Sequence, residues 1–256
     1  MKNTLKLIAL LVAPAVVVAG PVYKAPIIED PVCAVPFTGS VAAGYESTYM
    51  FRGVDFGGDA PWAGIDLSIP VGGIAIDVGT WYINPTDTTA DPSDDSNDEL
   101  DIYASSTFGL GPFDATLGFV ALTFPELAGD LFGDTADYEA FITLAKTILG
   151  IDVAYSAIHS FNLNGPNWFH DLNFGKGFDI TDCLALGLGA GVGFSDGYNG
   201  FSGFNHSYVT TGLTFALTEA AALDLYLGGS LASDDLETFG GGSDQFHGGA
   251  SMSVSF

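Results

Sequence analysis

From Thr38 onward, apolar residues recur at every second position through one segment after another. Beyond the N-terminus, no apolar run reaches the ~18 residues that a helix needs to cross a bilayer. A period of two is the period of a strand. The last segment, 245–256, shows it cleanly. Phe246, Gly248, Ala250, Met252, Val254 and Phe256 fall on one face, and Gln245, His247, Gly249, Ser251, Ser253 and Ser255 on the other. An apolar face opposite a Gly/Ser face suits a wall with lipid outside and water or small side chains inside. The sheet that satisfies all its backbone groups in such a setting is a closed barrel. The competing arrangement is a soluble sandwich, whose apolar faces would pack against each other.

Composition favours the barrel. The 256 residues are 48% hydrophobic and 14% charged, with 34 Gly, and the mean hydropathy is +0.34. That is too apolar and too Gly-rich for an average soluble domain, and the length suits one barrel without a second domain. Residues 1–19 carry Lys2 and Lys6, then an apolar stretch interrupted by Pro14, then small residues ending at Ala19. This is the pattern of a secretory signal peptide. Residues 20–37 hold Pro21, Pro26, Pro31 and Pro36 and read as an extended periplasmic lead-in. Residues 38–256 form the barrel. Export combined with dispersed hydrophobicity predicts an outer-membrane location, with outer-membrane lipid as the surroundings. A net charge of −25, from 31 Asp and Glu against 6 Lys and Arg, excludes nucleic acid as a partner.

The alternation predicts an all-β, antiparallel transmembrane barrel of about twelve strands: 39–52, 61–70, 73–83, 99–109, 113–124, 138–147, 151–161, 168–177, 183–195, 206–217, 222–232 and 245–256. Short connections, for example at 71–72 and 110–112, alternate with mostly longer ones at 53–60, 84–98, 125–137, 162–167, 196–205 and 233–244. Short periplasmic turns and longer, acidic extracellular loops are the membrane-barrel asymmetry. On the predicted outward face, Phe51, Tyr82, Phe161, Phe194 and Phe246 lie beside the long loops. Phe108, Phe113, Phe215 and Phe256 lie beside short turns or the chain end, giving two aromatic girdles.

The same register turns Glu46, Thr48, Arg52, Asp66, Asp77 and Asp101 inward, with Glu139, Asp152, Asp171, Asn173, Asp224 and His247. An isolated carboxylate in hydrocarbon is costly, so the interior is polar or wet. Glu46 and Arg52 are expected to pair with neighbours inside. Gly187, Gly189, Gly191 and Gly193 also face inward and relieve crowding. Cys33 and Cys183, the two cysteines of the chain, both fall on the periplasmic side and are expected to form a disulfide; two free thiols are the alternative. The loop 84–101 gathers Asp91, Asp94, Asp95, Asp98 and Glu99 beside Asp87 and Asp101. These oxygens suit Ca²⁺, but the spacing is not that of a calcium loop, and a hydrated acidic loop is favoured. No other cofactor is expected. His159-Ser160 and His206-Ser207 are adjacent pairs, so their side chains point to opposite faces of a strand and cannot act together as base and nucleophile. The chain is therefore not expected to be an enzyme.

The run from Gly44 to Gly53, GYESTYMFRG, followed by DAPWAGIDL from Asp59 and by Gly79-Thr80-Trp81, resembles the opening of the TorF-type porin family of proteobacterial outer-membrane barrels. Ser47, Tyr49, Phe51, Arg52, Gly53, Pro61, Gly64, Asp66, Gly79 and Trp81 carry the match. Asp55-Phe56-Gly57-Gly58 and Ala63 depart from the family pattern. The terminal Phe256 resembles the signal by which barrel-assembly machinery recognises its clients. The resemblance implies a porin without an established substrate. Together these features predict a passive diffusion channel for small cationic or neutral solutes. The alternative is an occluded structural or adhesive barrel whose acidic loops bind ions or a partner, because Trp62, Trp81, Tyr103 and Phe141 also face inward and could fill the lumen.

Overall fold

The computed structural model describes residues 37–87, 98–125, 132, 136–162 and 165–256. The alternating segments form twelve strands. They are β1 (Thr38–Phe51), β2 (Val54–Val71), β3 (Ile74–Ile83), β4 (Glu99–Leu110), β5 (Phe113–Thr123) and β6 (Asp137–Ile148), then β7 (Ile151–Ser160), β8 (Asn167–Thr181), β9 (Leu184–Asp196), β10 (Ser202–Ala216), β11 (Ala221–Ala232) and β12 (Gln245–Ser255). Each strand pairs antiparallel with its sequence neighbours, and β12 pairs with β1 from Ser40↔Ser255 to Glu46↔Gly249, so the sheet closes without an edge. At the seam the Gly39 N–H donates to the Phe256 carbonyl and the Phe256 N–H to the Gly39 carbonyl, both at 2.9 Å. Phe37 packs edge-on against Phe256 there.

The two faces of the wall differ as the alternation requires. Leu188, Phe194, Val209, Leu227, Leu231 and Phe246 are exposed on the outside, while Glu46, Trp62, Trp81, Asp101, Glu139 and Phe141 are buried inside. No helix among the described residues is long and apolar enough to cross a membrane. The strands carry the apolar surface, and at 10 to 18 residues they cover the ~9–11 that a tilted crossing takes. Short turns at 72–73, 111–112, 149–150, 182–183 and 217–220 lie on one rim. Longer connections, such as 197–201 and 233–244, lie on the other.

One predicted loop is absent. Residues 53–60 belong largely to β2, which begins at Val54, and β1 turns into it through Arg52 and Gly53 alone. Their φ angles of 50° and 83° are those of a two-residue hairpin turn whose twist matches the strands. Gly57, Gly58 and Pro61 look like strand breakers but are accommodated. The Pro61 carbonyl accepts from the Asn84 N–H at 3.0 Å on the β3 side, and the β2–β3 ladder ends at Trp62↔Ile83. The N–H that Pro61 lacks would have faced the Asn84 carbonyl, so one bond is forgone there, and the regular ladder stops one pair short of it. A register slip between Thr48 and Met50, with Gly57 at φ 123°, makes a bulge. Tyr49 is thereby buried against Phe51, Phe56 and Trp81. Phe51, expected in the outer girdle, belongs instead to this inner cluster.

The inward glycines are sockets for neighbouring rings. A Cβ on Gly191 would sit 2.3 Å from Cζ of Tyr208, its partner on β10, and one on Gly118 would sit 2.2 Å from Cζ of Phe141 on β6. Gly191→Ala is expected to destabilise the barrel by about 1–3 kcal/mol through overpacking. Urea unfolding in lipid vesicles would measure this, and an unchanged midpoint would mean that Tyr208 has room to move.

Candidate functional site

Because β2 outruns β3, the far end of the β1–β2 hairpin stands beyond the wall on the long-loop rim. It leans across the mouth. Val54 bridges to Gly242 in the β11–β12 connection, Gly58 bridges to Asp87 in the β3–β4 connection, and Gln245 donates to the Asp55 carboxylate at 2.9 Å. Gly53 fits where a Cβ would meet Leu236 at 2.7 Å and His206 at 2.8 Å. Leu236, on the short π-helical turn Leu236–Gly240, is fully buried.

Arg52 at the hairpin tip reaches the wall at β6. Its two terminal nitrogens donate to the two carboxylate oxygens of Glu139, each at 2.6 Å, a bidentate fork. The side chains are 11% and 1% exposed, so the pair is almost dry. The guanidinium lies 4.4 Å from the ring centre of Tyr198, 4.5 Å from Phe51 and 5.1 Å from Phe169, within cation–π range of all three. The Tyr198 hydroxyl also donates to Glu139, at 2.6 Å. Burial opposes the charge on Arg52, yet the attraction of Glu139 outweighs it and holds the guanidinium above even its ordinary range. Burial raises the Tyr198 phenol well above its usual value. One side chain from the hairpin thus ties β1–β2 to β6, β8 and the β9–β10 connection.

The other predicted lining residues lie along the same inner surface. Glu46 is buried and accepts from the Trp62 indole at 3.1 Å. Glu99, buried at the start of β4, accepts from Tyr49 at 2.9 Å, and Asp101 is buried two residues further in. Asp171 accepts from Tyr208 and Asn173, and Asp66 from Tyr103. Nearer the short-turn rim, Thr147 donates to Asp152 and Thr214 to Asp224, both at 2.6 Å, and Asp77 stands between Ser68 and Ser105. His247 packs edge-on against Tyr226. Among the described residues, Arg52 is the one Lys or Arg directed inward. Lys146 and Lys176 are exposed on the outside, over the rings of Phe113 and Phe178.

The remaining predicted positions are dispersed. Asp91, Asp94 and Asp95 lie outside the described residues, whereas Asp98 and Glu99 are buried, Asp98 accepting from Tyr82 at 3.2 Å. Among the described residues, no three His, Cys, Asp or Glu side chains are grouped to hold a metal ion. Cys183 is exposed on the β8–β9 turn, and Cys33 lies outside the described residues. His159 packs against Phe161 and Trp168, while Ser160 points the other way and donates to Asp137 at 2.8 Å. Sequence reasoning placed Arg52 and Glu139 inside but did not pair them, and it missed Tyr198 and Phe169. Tyr198 sits in a connection where no periodicity assigns a face. Phe169 is one more aromatic residue in an alternating strand.

Residues 31–240, most of the chain, match the family described as "Bacterial protein of unknown function (Gcw_chp)". The chain belongs to this family. Gcw_chp membership carries no activity with it, and no curated protein matches the sequence. Solved structures resemble the fold. An outer membrane channel from Pseudomonas putida F1 aligns with a TM-score of 0.53 at 12% identity, over 91% of this chain and 100% of that one. The KdgM porin aligns with a TM-score of 0.50 at 11% identity, over 85% and 99%. At such identities the likeness concerns the fold: this Gcw_chp protein is a closed barrel of the outer-membrane, porin-like kind.

Proposed function

We propose that this protein is a narrow diffusion channel of the outer membrane for small cationic or neutral solutes, of the TorF-type porin kind that its opening strands resemble. The observation that carries this reading is the inner surface. Glu46, Asp66, Glu99, Asp101, Asp171 and Asp224 all point into a barrel of porin-like shape, Asp66 and Asp224 only partly buried, and its single inward Lys or Arg, among the described residues, is already neutralised by Glu139. Acidic linings favour cations and repel anions. The long-loop rim would face outward and the short-turn rim the periplasm, following export on the N-terminal signal and insertion by the barrel-assembly machinery.

Recording single channels in planar bilayers tests this. Small, cation-preferring conductance is expected, with the preference weakened in Asp66→Asn and Asp224→Asn, the partly exposed members of the set. A preference for anions would overturn it. The hairpin across the mouth favours a second reading, an occluded barrel with a structural or adhesive role, in which Tyr49, Trp62 and Trp81 fill what would otherwise be a pore. Liposome swelling in small sugars separates the two, since only a channel admits them.

A further inference from the structure

The surroundings of the Arg52 side chain have the chemistry of a binding site whose occupant happens to be part of the same chain. Glu139, almost completely buried, offers both oxygens in one plane to a guanidinium. Tyr198 and Phe169 present ring faces at 4.4 and 5.1 Å, and the Tyr198 hydroxyl anchors the carboxylate from the side. Fork-and-carboxylate geometry combined with stacking selects a planar, weakly hydrated cation over a compact ammonium. Glu139, Tyr198 and Phe169 belong to the wall and the β9–β10 connection, not to the hairpin that delivers Arg52. The site would persist if the hairpin withdrew.

We propose that Glu139, Tyr198 and Phe169 form a guanidinium-binding site at the mouth of the barrel, that Arg52 fills it as a tethered stand-in, and that solutes bearing a guanidinium, such as free arginine or an arginine-containing peptide, compete for it. The tether makes the exchange a switch. A solute guanidinium on Glu139 displaces Arg52, frees the β1–β2 tip from β6, and so both opens the mouth and occupies the first site along the acidic lining. The naming of a transported class rests on the channel reading above; the binding site does not.

The experiment uses the full-length mature barrel in lipid vesicles with Arg52→Gly, which the left-handed backbone at this position accepts. Arg52→Asn, which also tolerates that conformation, serves as a second variant. Methylguanidinium chloride should raise the melting temperature of either variant saturably, by about 2–4 °C, with half-effect on the order of millimolar. Methylammonium and sodium chloride at equal ionic strength should not, and adding Glu139→Gln should abolish the rise. In wild type, L-arginine should increase single-channel conductance more than L-lysine does at the same concentration. No difference between methylguanidinium and methylammonium, or a rise that survives Glu139→Gln, overturns the site. If neither variant folds, equal responses of wild type to arginine and lysine overturn it. Saturable binding in a barrel that never conducts would leave the site standing and reject the channel.

Discussion

Glu139→Ala is expected to lower the unfolding free energy by about 3–5 kcal/mol, the cost of leaving a buried charge without its partner. Arg52 is 11% exposed and both its terminal nitrogens donate to this one carboxylate. Its neighbours Phe51, Phe169 and Tyr198 offer ring faces, which do not replace the bidentate carboxylate. Tyr198 loses its acceptor as well. The decisive comparison is with the double variant Arg52→Gly/Glu139→Ala. Removing both charges removes the desolvation penalty along with the bond, so the double variant should recover a large part of the loss, and the single effects should be strongly non-additive. Urea unfolding in vesicles measures all three. Simple additivity, or a single-variant cost under about 1 kcal/mol, would mean that water reaches the pair and that the hairpin is not held by it. Glu139→Ala should also conduct more than wild type, because the tip of β1–β2 is untied.

Val209→Arg is expected to cost about 2–4 kcal/mol in a bilayer, the depth-dependent penalty for a cation at the midplane of a lipid-facing strand. Val209 is midway along β10, paired with Ala190 and Gly229, and 61% exposed on the outer face. Thr210→Arg, one residue on, turns the same charge inward between Gly189 and Gly228, toward the acidic lining, and should cost clearly less. Equal penalties for the two positions would contradict a lipid-facing exterior. A soluble sandwich would give a third pattern, with Val209 tolerant of charge in water.

The ease with which the strands can be read from the sequence has a simple origin. A wall with lipid on one side and a crowded polar lumen on the other imposes the period of two at nearly every position of β3 to β12, and the predicted boundaries fall within a few residues of the observed ones. Prediction failed in the β1–β2 hairpin, where residues 53–60 lie above the wall. There each side chain answers to the loops around it, and the cues run the wrong way: Gly57 and Gly58 serve a bulge instead of a turn, and Pro61 sits in a strand that has outlasted its neighbour. The same bulge carried Phe51 from the outer girdle into the inner cluster.

By itself, then, the sequence determined a closed antiparallel barrel of twelve strands, with its acidic residues turned inward and its apolar faces out, because alternation is a local property that each strand states for itself. Only the tertiary structure decided that the mouth is crossed, that Arg52 seeks Glu139 among all the inward carboxylates, and that Tyr198 and Phe169 close around it. Those contacts join residues 87 or more positions apart across an open space. No strand period encodes which side chains will meet across a lumen; barrel curvature and the lean of one hairpin do.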